Sequence, residues 1–135
     1  MDKELVFKTN NLFQSVSFDK DAISWYFVFT DRTAFNVSAF WRLLIEKQIA
    51  LVSLDNGHQF GLPKPVDLVE ELTARLAGQS LLEIKVKADT ADLLLTLTNN
   101  IQIEILISST GYETYNFSHG DKTYIGMGSG DLSMY

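Results

Sequence analysis

No cysteine occurs among the 135 residues, which removes disulfides, thiolate metal ligands and cysteine nucleophiles together. Histidine is nearly as scarce. His58 and His119 are the only two, and neither has a partner at metal-ligand spacing, so no metal site is expected. No apolar run reaches the roughly 18 residues of a membrane-crossing helix. The opening Met-Asp-Lys-Glu-Leu-Val-Phe-Lys is charged and does not read as a signal peptide. Basic residues are the minority, 11 against 17 acidic, for a net charge of −6. Such a surface repels phosphate backbones, and nucleic acid is not an expected partner. Together these absences point to a cytoplasmic protein with no membrane contact and no cofactor.

What is present is apolar and aromatic. Hydrophobic residues make up 46% of the chain, including nine Phe, five Tyr and two Trp, enough for one ordered domain over 1–135. Charge is uneven along it. Residues 1–67 carry seven basic and eight acidic side chains, whereas residues 68–135 carry four and nine.

The clearest pattern lies at Leu93-Leu94-Leu95-Thr96-Leu97-Thr98, Asn99-Asn100, Ile101-Gln102-Ile103-Glu104-Ile105. Two β-rich runs flank two residues that tolerate positive φ, the signature of a tight hairpin. Shifting back by 68 residues gives Trp25 to Thr30, Asp31-Arg32, Thr33 to Val37 with no gap. Upstream, Val16 falls on Ile84 and Phe18 on Val86. Residues 13–37 and 81–105 therefore read as two copies of one strand unit, matched in pattern more than in identity.

Between them, Asp67 followed by Glu70 is a capping box. Leu68, Val69, Leu72 and Leu76 form a helical stripe, and Gly78 stands as a terminator. One helix is expected over about 67–77. Residues 38–48 fit either a continuing strand or a short helix. Ile49–Leu54 reads as a strand, paired through Asn56-Gly57 with His58–Leu62. The fold class is α+β: mostly antiparallel sheet from two pseudo-repeated units with one helix between them.

Catalytic constellations are missing. No nucleophile elbow occurs, and two histidines leave little choice of base for a triad. Gly126-Met127-Gly128-Ser129-Gly130 lacks the following helix that a phosphate loop needs, so a glycine-bearing hairpin is expected there. Among carboxylates, Glu113 stands out between aromatics in Gly111-Tyr112-Glu113-Thr114-Tyr115.

That segment and the ending Gly128-Ser129-Gly130-Asp131-Leu132-Ser133-Met134-Tyr135 carry a resemblance. The chain resembles a family of small uncharacterised bacterial domains with a strand hairpin, Tyr-Glu-x-Trp and a closing Gly-Gly-x-Leu-x-x-Trp. Leu95 to Ile105 match the hairpin, and Tyr112 and Glu113 match the middle motif. Tyr115 and Tyr135 stand where that family has tryptophan, and Ser129-Gly130 where it has Gly-Gly. The Trp41-Arg42-Leu43 segment resembles the family's first half. In size and style such domains are similar to toxin-immunity proteins.

Two functional readings follow. In the first, the chain is a non-catalytic binding protein, of the kind that neutralises a toxin, meeting a basic protein partner through Tyr112, Glu113, Asp121 and Asp131. In the second, it is a small-molecule-binding module or cryptic enzyme, with a pocket between the two copies lined by Trp25, Trp41, Arg42 and Glu113. A homodimer through a strand edge is a third.

Overall fold

The computed structural model describes residues 2–135. Eleven strands and one α-helix follow in the order β1 (Leu5–Asp19), β2 (Ser24–Phe29), β3 (Thr33–Val37), β4 (Phe40–Ile45), β5 (Gln48–Val52), α1 (Leu68–Leu76), β6 (Ser80–Val86), β7 (Leu93–Leu97), β8 (Ile101–Leu106), β9 (Tyr115–His119), β10 (Lys122–Met127) and β11 (Asp131–Met134). All pairings between neighbouring strands are antiparallel. The fold is therefore mostly antiparallel sheet with a single α-helix.

The strand order is β11-β10-β9-β3-β2-β1-β6-β7-β8-β4-β5. β1 belongs to two sheets. Its first half, Leu5–Leu12, pairs with β6, and its second half, Phe13–Asp19, pairs with β2. Register shifts near Lys8–Asn11 and Phe13–Ser15 mark the change of partner and allow the strand to bend there.

Both long hairpins turn on two left-handed residues: Asp31 and Arg32 at φ 59° and 54°, Asn99 and Asn100 both at φ 59°. This is the primed turn whose twist matches that of the flanking strands. The loops recur too. Thr30 Oγ1 accepts from the Leu12 amide at 2.9 Å, and Thr98 Oγ1, 68 residues on, accepts from the Ser80 amide at 3.0 Å.

The hairpin after each meander crosses to the other sheet. β3 and β4 are separated by only Ser38 and Ala39, yet β4 pairs with β8 while β3 pairs with β9. Trp41 lies opposite Ile105 and Leu43 opposite Ile103; Tyr115 lies opposite Val37 and Phe117 opposite Phe35.

Alternation along these strands turns one set of side chains into a shared interior. Rings from the two sheets meet there. Trp41 on β4 packs edge-on against Trp25 and Phe27 of β2, with centroids 5.1 and 5.9 Å apart. Phe7 on β1 meets Phe117 of β9 at 6.3 Å and Tyr124 of β10 at 5.2 Å. Trp41, Phe27, Phe35, Leu43 and Phe117 are fully buried, each side chain stabilising the fold by roughly 2–3 kcal/mol through burial alone.

α1 forms as its sequence requires. The Asp67 side chain accepts from the Glu70 amide at 3.2 Å, and Leu68, Leu72 and Leu76 are buried, with β1 as the principal contact. Gly78 at φ 78° follows the last turn.

Of the two alternatives for residues 38–48, the strand holds over 40–45, where alternating Trp41 and Leu43 fill the interior. One expectation is corrected. β5 pairs with β4 through a turn at Glu46-Lys47, both with positive φ, and not with His58–Leu62, which forms no strand. The Asn56-Gly57 turn leads instead into a loop closed by Gly57 and Val66, whose amide and carbonyl bond at 2.8 Å.

Candidate binding surfaces

The crossed hairpins sort the loops into two ends. The tight turns β2–β3, β4–β5, β7–β8 and β9–β10 gather at one end, where Glu46 donates its amide to the Asn100 carbonyl and Arg32 pairs with Asp121 at 2.9 Å. The longer connections gather at the other. The Tyr115 hydroxyl donates to the Ala91 carbonyl across the two sheets at 2.8 Å. Ser38 donates its amide to the Thr114 carbonyl, and Ser129 Oγ donates to the Thr110 carbonyl at 2.6 Å.

These ends differ in charge. The tight-turn end carries Asp31, Glu46 and Asp121 beside Arg32, Lys47 and Lys122, a balanced set. At the loop end, the connections β1–β2, β6–β7, β8–β9 and β10–β11, with the residues that border them, carry Asp19, Asp21, Asp89, Asp92, Glu113 and Asp131 against Lys20 and Lys87. Within it lies an open cleft of about 660 Å³ lined by Asp89, Asp92, Ser109, Thr110 and Ser129, among others. Asp92 is held in place there: one oxygen accepts from the Ile107 amide at 2.7 Å and the other from the Thr90 hydroxyl at 3.0 Å.

The glycine run builds this end. A Cβ at Gly126 would strike the Tyr115 ring, which lies across that position. One at Gly128 would strike the Thr110 backbone, and one at Gly130 the Asp89 carbonyl. Gly130 also sits at φ 86°. These glycines let β10 and the start of β11 approach two loops closely; β11 follows them, not a helix.

Tyr115 has a displaced titration. Burial raises its hydroxyl well above the ordinary tyrosine value, and the Asp92 carboxylate raises it further. The group stays neutral and donates, which suits a structural clasp between the sheets.

Of the residues singled out from sequence, Tyr112 and Glu113 lie together on the loop before β9. Tyr112 is 80% exposed, and Glu113 accepts from Asn116 Nδ2 at 3.3 Å. Asp131 begins β11 at the same end. Asp121 lies at the other, about 16 Å away along the five residues of β9. The structure thus gathers three of the four. Trp25 and Trp41 are packed against each other, 4% and 0% exposed. Arg42 alternates with Trp41 and faces outward, paired with Glu104 at 2.9 Å, so it does not share a cavity with the two indoles. Asp89 and Asp92 were not singled out, because nothing short of the sheet order places the β6–β7 turn beside Ser129.

No protein family, curated protein or solved structure matches the chain. Among the described residues, no helix is long and apolar enough to cross a membrane.

Proposed function

We propose that the chain is a non-catalytic binding protein that presents its acidic loop end to a basic protein partner. One observation carries this reading: the connections β1–β2, β6–β7, β8–β9 and β10–β11 at one end hold six carboxylates against two lysines, while the tight turns at the other end are balanced. A one-signed patch around an open cleft focuses field and accelerates encounter with a cationic surface. Tyr112, exposed at its rim, supplies an aromatic anchor. Neutralisation of a toxin with a basic active site is the biological form we give this, following the resemblance to immunity-type domains.

The test is co-expression with the products of neighbouring genes, followed by binding kinetics for any captured protein. The triple variant Asp21→Asn, Asp89→Asn, Asp131→Asn is expected to slow association about tenfold at low salt and to lose most of its salt dependence. A captured partner whose association ignores these three charges would defeat the reading.

We further propose that residues 13–37 and 81–105 descend from one duplicated unit within a single domain. Support comes from the 68-residue recurrence of the primed turns and the threonine clasps, and from the matching places that Trp41 and Tyr115 take opposite Ile105 and Val37.

A further inference from the structure

The outer face of the sheet β1-β2-β3-β9-β10-β11 carries a second surface, which meets the acidic end at Tyr112 and Glu113. Outward positions on its central strands are Ser24, Tyr26 and Val28 on β2, Ala34 and Asn36 on β3, and Asn116 and Ser118 on β9. None is charged. Register places Tyr26 beside Asn36 and Asn36 beside Asn116, forming one row of a tyrosine and two carboxamides.

Two hollows lie along this face. One, about 410 Å³, is lined by Ser24, Asn36, Asn116, Tyr112 and Thr114, among others. Thr114 is 4% exposed, and its hydroxyl is buried with no hydrogen-bond partner in the protein. The second, about 540 Å³, is lined by Tyr26, Ala34, Ser118 and Gln14, among others. Asn36 and Ala34 are successive outward residues of β3, as Asn116 and Ser118 are of β9, so the hollows are about 7 Å apart along the strands. Tyr26, 48% exposed, stands next to both. Charge enters at the rims, with Asp19 beside Ser24 and Glu113 at one end, Asp31 and Arg32 at the other, and Asp131 on the outlying β11.

A ligand matched to this face is uncharged, rich in hydroxyls and elongated. Carboxamides and hydroxyls both donate and accept, as sugar hydroxyls do. Exposed tyrosine rings offer flat apolar area with a polar tip, at little conformational cost. A polyanion or polycation finds no counter-charge along the row. We propose that this face binds a neutral oligosaccharide, with Asn36 and Asn116 as the central hydrogen-bonding pair and Tyr26 and Tyr112 as stacking platforms.

The test is calorimetric titration of the full chain with a panel of neutral linear oligosaccharides: cello-, xylo-, manno-, malto- and chito-oligomers. At least one is expected to bind with a Kd of about 1 mM or tighter. The double variant Asn36→Ala, Asn116→Ala and, separately, Tyr26→Ala should each weaken it about tenfold or more. Both change outward side chains, and circular dichroism confirms folding; should the double variant not fold, Asn116→Ala alone takes its place. The acid-end triple variant should leave the affinity within about twofold, which separates this proposal from the acidic-cleft reading. Absence of binding across the panel, or binding that survives both the asparagine and tyrosine changes, overturns it. So would binding confined to peptides or to charged polysaccharides.

Discussion

The two sheets share an interior but differ outside. On the sheet containing β6, β7, β8 and β4, the outer face carries Lys8 paired with Glu83, Arg42 paired with Glu104, and leucines at 82 and 94. On the other, the central strands β2, β3 and β9 offer only Ser, Asn, Ala, Tyr and Val outward, with no charge. The inner faces answer to one constraint, since both must fill the same core at close packing. Outer faces answer to solubility or to a ligand. A wet face whose central strands carry no charge, in a protein of net charge −6, is therefore more informative than a buried one. The same contrast appears when the two segments are aligned 68 residues apart: inward positions match in kind, Phe27 with Leu95 and Phe35 with Ile103, whereas outward Tyr26 falls on Leu94 and Asn36 on Glu104.

If one core serves both sheets, damage to either should unfold both. Phe117→Ala on β9 is expected to cost about 3–5 kcal/mol and Leu43→Ala on β4 about 2–5. Each should give a single transition in urea, with fluorescence and circular dichroism coincident. Separate melting of one sheet in either variant would break the comparison at its root, since the faces would then belong to independent bodies.

Trp41 and Tyr115 occupy matching places in the two sheets and should respond differently. The Tyr115 hydroxyl is satisfied by the Ala91 carbonyl, whereas Trp41 Nε1 has no partner. Tyr115→Phe should cost about 1–2 kcal/mol by leaving that carbonyl unpaired. It should also change the alkaline limb. The folded hydroxyl titrates above the unfolded one, so its contribution is complete below about pH 10. Above that pH the unfolded chain releases a proton that the folded chain keeps, and stability falls by up to about 1.4 kcal/mol per pH unit. Urea midpoints between pH 9 and 11 (roughly, the tyrosine range) should decline more steeply in the parent than in Tyr115→Phe. Equal slopes would show that the clasp does not titrate as its burial demands. Trp41→Phe should add no pH dependence of its own.

Much of this architecture was legible in the chain. Both hairpins were, because Asn99-Asn100 and the alternation of Ile101, Ile103 and Ile105 are local signals. The helix was too, since the Asp67 cap and the leucine stripe are local. The crossing of β4 to β8 was not. Ser38 and Ala39 give no local sign that the chain changes sheets, and only the fit of Trp41 against Trp25 decides it. For the same reason Trp41 and Arg42, adjacent in sequence, seemed able to share a pocket, when the strand period sends them to opposite faces. Tyr112 and Glu113 were visible as an aromatic-acid cluster. Asp89, Asp92 and the Asn36–Asn116 pair were not, because each is assembled by strand order.

The threonine clasps offer the finest probe of how alike the two hairpins are. Thr30 and Thr98 both donate their backbone amides at 2.9 Å, to the carbonyls of Leu12 and Ser80, and both accept the amide of that same residue on the hydroxyl. Thr98 does more. Its hydroxyl also donates to Gln79 Oε1 at 2.6 Å, and that oxygen receives the Asn99 side chain at 2.8 Å. Leu12 is 46% exposed, so water can replace the lost acceptor there, whereas Ser80 is half-buried. Thr30→Val should therefore cost about 0.5–1 kcal/mol and Thr98→Val about 1–2. Thr→Ser at either site should restore most of it, because the hydroxyl and not the methyl carries the clasp. A larger loss at Thr30 would mean that the surroundings, and not the shared backbone geometry, set the strength of the turn.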